Sequence, residues 1–265
     1  MTLPRVMGII NITPDSFYPG GRSASIDEAI AQGRAFFARG VDIVDIGGES
    51  TRPGADSVSE ADELARVLPI VEVLAPLGPV SIDTQKESVA RAAVAAGASI
   101  INDVSATLVD VAGELQVGYV AMHRQGDSRT MQDNPHYEDV VIEVRDFLAG
   151  VAARAAAANV PELWLDPGIG FGKTVEHNLS LLAHLDVFRA LCDQTASQLL
   201  IGTSRKRFLG TLAPEFLEVQ DRLEGSVATE AWSLLYGADV IRVHDVAVAM
   251  QLRELLAMPT EEVVA

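Results

Sequence analysis

The chain has 265 residues, 48% of them hydrophobic, so one large buried core is within reach. A formal net charge of -17 and a pI near 4.6 exclude a general binder of nucleic acid or anionic membrane, which would need the opposite balance. A single cysteine, Cys192, excludes an intrachain disulfide and fits a reducing cytoplasm.

Short apolar runs alternate with helical patterns from one end of the chain to the other. VMGII (6–10) ends in Asn11 and is too short for a signal-peptide core. A helix is expected over 26–39. IVDIGG (43–48) then leads to Glu49, Ser50, Thr51 and Arg52, and apolar residues at helical spacing predict a helix over 59–74. VSI (80–82) ends in Asp83. Thr84 to Glu87 has the spacing of a capping box opening the next helix, with Gly97 as its stop. SII (99–101) ends in Asn102 and Asp103, before a weak helical stretch over 108–117. YVAM (119–122) ends in His123, and a long helix is expected over 137–158; its Ala-rich part, 151–160, carries Arg154 and cannot span a bilayer. LWL (163–165) ends in Asp166, followed by a helix over 176–185. LLIG (199–202) leads to Thr203, Ser204, Arg205 and Lys206, followed by a helix over 222–235. DVI (239–241) leads to Arg242, Val243 and His244, and a helix over 246–256 closes the series.

Alternation of this kind predicts a parallel sheet. Eight such units, undivided by any linker, favour a closed (β/α)8 TIM barrel forming one domain over residues 1–265, with an open doubly wound sheet as the alternative. A buried strand needs only its apolar part. Polar groups gathered at strand ends therefore point to one shared cavity, where Arg52, Arg205, Lys206, Arg207, Arg242 and His244 would focus an anionic substrate.

The individual motifs suggest chemistry. Asn11 offers a hard oxygen suited to Mg²⁺. The loop from Gly47 to Gly54 combines backbone N–H groups with Arg52, able to hold a phosphate or carboxylate. Asp83, Asn102 and Asp166 each have a simple explanation as helix caps, but together they form a donor–acceptor array for the edge of an amino-pyrimidinone ring. The run from Asp166 to Lys173 lacks the spacing of a P-loop, and its Phe171 could cover an aromatic ligand. Arg242 and His244 alternate, so both face one way and could hold an anionic leaving group. No zinc spacing and no nucleophile elbow is present.

In order and spacing, VMGIINITPDSF, DIGGESTRPGA, VSIDT, INDVS, MHRQGD, LDPGIGFGK, IGTSRKRFLG and VIRVHDV resemble the dihydropteroate synthase family, over residues 6–256. The resemblance implies a transferase that joins 6-hydroxymethyl-7,8-dihydropterin pyrophosphate to para-aminobenzoate, releasing pyrophosphate. It implies a pterin site of Asp83, Asn102, Asp166 and Lys206, with Met122 and Phe171 lining it. It implies Mg²⁺ on Asn11, the pyrophosphate on Asn11, Thr51, Arg242 and His244, and the aminobenzoate on Phe17, Thr51, Pro53, Lys206 and Arg207. Asp83, Lys206, Asp15 and Arg52 are the implied catalytic set, a homodimer the implied assembly, and sulfonamides the implied competitors. Tyr18-Pro19 and Arg207 depart from common family versions, in the first loop and at the aminobenzoate end. Two other readings compete: a methyltransferase acting on methyltetrahydrofolate, and a non-catalytic pterin-binding homologue.

Overall fold

The computed structural model describes residues 3–12, 22–50, 57–127, 129–212 and 218–257. Eight parallel strands close into a barrel in chain order: β1 (Arg5–Asn11), β2 (Ile43–Gly47), β3 (Val80–Asp83), β4 (Ile100–Asp103), β5 (Gly118–Met122), β6 (Leu163–Asp166), β7 (Gln198–Ile201) and β8 (Val240–Val243). Closure comes from β1 pairing with β8, Arg5 opposite Val240 through Gly8 opposite Val243. The expected (β/α)8 barrel is therefore the observed one, and the open sheet is ruled out.

The helices wrapped outside are α1 (Arg22–Ala38), α2 (Glu60–Leu74), α3 (Glu87–Ala95), α4 (Val109–Leu115), α5 (Val140–Ala157), α6 (Val175–Ala183), α7 (Leu185–Thr195), α8 (Arg207–Thr211), α9 (Leu223–Leu235) and α10 (Val246–Ala257). Among the described residues no helix is long and apolar enough to cross a membrane. Two local expectations are corrected. Thr84 does not cap α3: its N–H continues the sheet by bonding to the Asn102 carbonyl, so it sits too early, and its Oγ1 accepts the Lys86 N–H, 3.2 Å away, outside the helix. The capping box instead opens α6, where Thr174 and His177 bond each other's backbones. The single helix expected over 176–185 is two helices that break at His184. Leu185, Phe188, Leu191 and Cys192 carry the amphipathic pattern on into α7.

Side chains alternate along each strand, and the alternation sorts the barrel into levels. Met7, Ile43, Ile100, Val120, Trp164, Leu200 and Val240 interlock as an apolar plug inside the ring. Below it the Arg5 guanidinium lies 5.0 Å from the Trp164 ring centroid and pairs with Glu162. The opposite set of strand residues packs against the helices as the main core. Two residues beyond the plug, toward the C-terminal strand ends, the same inward alternation reaches Asp45, Asn102, Met122, Asp166 and Arg242. The functional level thus rests directly on packed hydrocarbon.

Candidate active site

Register brings the first four strand ends level. Asn11 pairs with Gly47, Gly47 with Asp83, and Asp83 with Asn102; on the other side Met122 pairs with Asp166. Above them opens a cavity of about 580 Å³, whose wall includes Asn11, Asp83, Phe171, Lys206, Arg207, Arg242 and His244. Asn102, Asp166 and Met122 stand at the same level but are nearly buried, at 5%, 7% and 4% exposure, and are not part of that wall. Asp15, Phe17, Thr51, Arg52 and Pro53, along with Tyr18 and Pro19, lie outside the described residues.

The centre of the site is a hydrogen-bonded cluster that the sequence reading did not contain. Arg242 donates through Nε to Asp45 Oδ2 and through an Nη to Asp83 Oδ2, each at 2.6 Å. Asn102 Nδ2 donates to the same Asp45 oxygen at 3.0 Å. Asp45 went unnoticed because it sits inside the apolar run IVDIGG. A charged residue at an inward position of a barrel strand was the available signal. Burial pushes the Asp83 carboxyl up to about 7; Arg242 opposes the rise and the Asp45 charge adds to it. Burial also raises Asp166, against the Gly168 N–H that bonds its Oδ1 at 2.8 Å.

Beyond β6 the loop carrying Phe171 is tied to the loop after β5. Lys173 Nζ reaches the carbonyls of His123, Gly168 and Phe171 and the His123 ring Nδ1, all within 3.0–3.3 Å. Burial lowers Lys173 to about 7; burial and then the Lys173 charge lower His123 to about 3. His123 otherwise packs edge-on against Phe147, 5.0 Å between centroids. Gly168, at φ +69, passes so close to His123 that an added Cβ would lie 1.9 Å from its carbonyl oxygen. The loop thereby holds Phe171 under Lys206, whose Nζ is 3.8 Å from the ring centroid.

Two of the expected cations are already engaged. Arg205, at φ +57, chelates Asp245 at 2.8 and 2.6 Å, and Arg242 is held as described. Arg205, Lys206, Arg207, Arg242 and His244 all line the cavity, with Ser204 Oγ 3.3 Å from His244 Nδ1. At the other rim Glu49 accepts the Val58 N–H, bridging residues 49 and 58, and Lys86 joins it to buried Glu63 at 2.8 and 2.5 Å. Among the described residues no group of three or more His, Cys, Asp or Glu side chains could hold a metal ion. Asn11 is thus a single neutral oxygen donor, which fits Mg²⁺ only where a substrate's phosphates and water complete its shell.

A cavity walled by Asn11, Asp83 and several basic side chains, at the C-terminal mouth of a (β/α)8 barrel, is where enzymes of this fold carry their active sites. The family described as pterin binding enzyme matches residues 7–244, and the chain belongs to it. Among its relatives are dihydropteroate synthases. That of Escherichia coli (strain K12) is 42% identical over 251 residues, covering 92% of this chain and 87% of the relative. The Xanthomonas albilineans dihydropteroate synthase solved with 4-aminobenzoic acid is 43% identical with a TM-score of 0.87, covering 97% of this chain and 94% of that one. A structure from the same organism in complex with 7,8-dihydropteroate is 39% identical with a TM-score of 0.82, covering 97% and 95%.

Proposed function

We infer that this chain is a transferase of folate synthesis, condensing 6-hydroxymethyl-7,8-dihydropterin pyrophosphate with para-aminobenzoate to give 7,8-dihydropteroate and pyrophosphate. The observation that carries this reading is a cavity at the C-terminal mouth of the barrel that Asp83 shares with Lys206, Arg207 and His244, with Asn102 and Asp166 buried at the neighbouring strand ends just beneath it. The pterin's N–H edge meets Asp83, Asn102 and Asp166, while Lys206 and Phe171, stacked on each other, border the ring.

The reaction breaks the bond from the pterin methylene to a pyrophosphate oxygen and forms one to the aniline nitrogen. Arg242 and His244 stabilise the departing charge. A guanidinium has five N–H donors, and Arg242 spends two of them on Asp45 and Asp83, so donors remain for phosphate oxygen. Mg²⁺ would be held by Asn11 together with the pyrophosphate and would neutralise its charge. The aniline amine is neutral near pH 7, so the site needs no strong base; it must orient the partners and exclude water. Lys206 and Arg207, with Phe17, Thr51 and Pro53, receive the aminobenzoate; Asp15 and Arg52 join Asp83 and Lys206 as the catalytic set. The sulfonamide class would compete at that end.

The exposed faces support a homodimer and the composition a cytoplasmic setting. Trp232 stacks on Tyr236 at 4.4 Å beside exposed Leu235 on α9, and the Trp232 indole N–H reaches the Leu182 carbonyl of α6, whose Leu179 is also exposed. Cys192 is a free buried thiol. Pyrophosphate release by the purified chain is the test: it is expected to require both para-aminobenzoate and Mg²⁺, and turnover absent from folded protein would refute the assignment. Asp83→Ala should weaken pterin binding and Arg242→Ala pyrophosphate binding. Sedimentation should give a dimer that Trp232→Glu dissociates.

A further inference from the structure

Asp45 is fully buried in β2 and is not part of the cavity wall, yet two of the residues assigned to substrate lean on it. Its Oδ2 accepts from Asn102 Nδ2 at 3.0 Å and from Arg242 Nε at 2.6 Å. Its Oδ1 has no hydrogen-bond partner among the described residues, nor has Asp83 Oδ1. A buried carboxylate with one oxygen unsatisfied is a poor way to fill a barrel; an apolar residue would pack there at lower cost.

Its chemistry accounts for its presence. An amide is two-faced, and a carboxylate can only accept. Facing Asp45, Asn102 must turn its NH2 group inward, which leaves its carbonyl oxygen for the ligand. Arg242, clamped between Asp45 and Asp83, occupies one oxygen of Asp83 and leaves the other, a buried atom, without a hydrogen-bond partner among the described residues. We propose that Asp45 is the positioning residue that makes the pterin edge of the site an all-acceptor row, and so selects a 2-amino heterocycle over its 2-oxo counterpart. This rests on the assignment of Asp83 and Asn102 to the pterin. Without the Asp45 charge the Asn102 amide is free to reverse, offering N–H to a 2-oxo group, and Arg242 loses one of its two anchors.

The test is calorimetric titration with 6-hydroxymethylpterin and with its 2,4-dioxo analogue, alongside the KM for para-aminobenzoate. In Asp45→Asn, binding of the 2-amino ligand is expected to fall about tenfold or more, as for loss of a buried polar partner, and the preference over the dioxo analogue to shrink. The aminobenzoate KM should stay put. The exchanged pair, Asp45→Asn with Asn102→Asp, keeps charge and volume and restores an acceptor to the ligand, so the preference should return. If the single variant does not fold, the exchanged pair decides: a restored preference supports the assignment and a lost one overturns it. An unchanged preference in Asp45→Asn, with Asp83→Ala and Asn102→Ala both impaired, overturns the role of Asp45 alone. Were those two variants also unimpaired, the pterin assignment itself would fail.

Discussion

Replacing Glu230 with glutamine should stabilise the protein, and only above mildly acidic pH. Glu230 lies on the inner face of α9 at 3% exposure, with Oε1 lacking a hydrogen-bond partner. Burial raises its carboxyl from 4.5 to about 8; the Asp245 charge adds to the rise and the Ser204 hydroxyl opposes it. The folded chain therefore keeps a proton that the unfolded chain has already lost. Such a group contributes its stability below about pH 4.5 and loses it as pH rises through about 8. At about 1.4 kcal/mol per unit, holding the Glu230 proton costs the parent roughly 3 kcal/mol at pH 7, and burying its charge costs up to about 5 kcal/mol above pH 8. The glutamine amide needs a partner of its own, which halves the benefit to about 2 kcal/mol, or roughly 4–8 °C in Tm. Calorimetric scans of parent and Glu230→Gln between pH 5 and 9 should nearly coincide at the acid end and separate steadily above it, the variant melting higher. A Tm difference independent of pH, or a variant that melts lower at pH 9, would refute the reasoning.

Three further outcomes follow from the site's supports. Gly168→Ala cannot be accommodated beside the His123 carbonyl and should cost about 2–4 kcal/mol, by overpacking and a positive φ, with weakened pterin binding in titration. Lys86→Met strands Glu63 and Glu49 without their shared cation and should lower stability by about 3–5 kcal/mol, read from the denaturant midpoint; an unchanged midpoint would show that the pair is not held by Lys86. Lys173→Met removes the donor that ties the loops after β5 and β6, so the KM for the pterin substrate should rise about tenfold or more while the aminobenzoate KM moves less; equal changes in both would count against a role for Lys173 in seating Phe171.

The barrel was legible because each strand is a short apolar run followed by a polar residue, and the period of two carries those residues to one mouth. Asp83, Asn102 and Asp166 could be read for the same reason. Asp45 could not be read that way, since its partners Arg242 and Asn102 are distant in sequence and no local pattern announces them. Lys173 was visible only as the end of a rejected phosphate loop; its four acceptors come from the backbone and from His123, contacts that composition does not encode. The helix over 185–195 was missed because the pattern around His184 reads as a stop, whereas the chain only kinks there, at φ -120 and ψ 38, before resuming its amphipathic period. The false capping box shows the opposite failure: the right residues at the right spacing, with the first still committed to the sheet.

The clamp on Arg242 also bears on the order in which the chain must be made. Its two anchors are 197 and 159 residues away in sequence. Until β8 is in place, the two inward carboxylates on the first three strands, Asp45 and Asp83, lack the guanidinium that bonds them both. A nascent or truncated barrel lacking its last strand is thus penalised at its own centre, and β8 delivers both the closing edge of the sheet and the missing charge. The site is the lock of the fold, so a chain that has not finished folding has no place to receive its substrate.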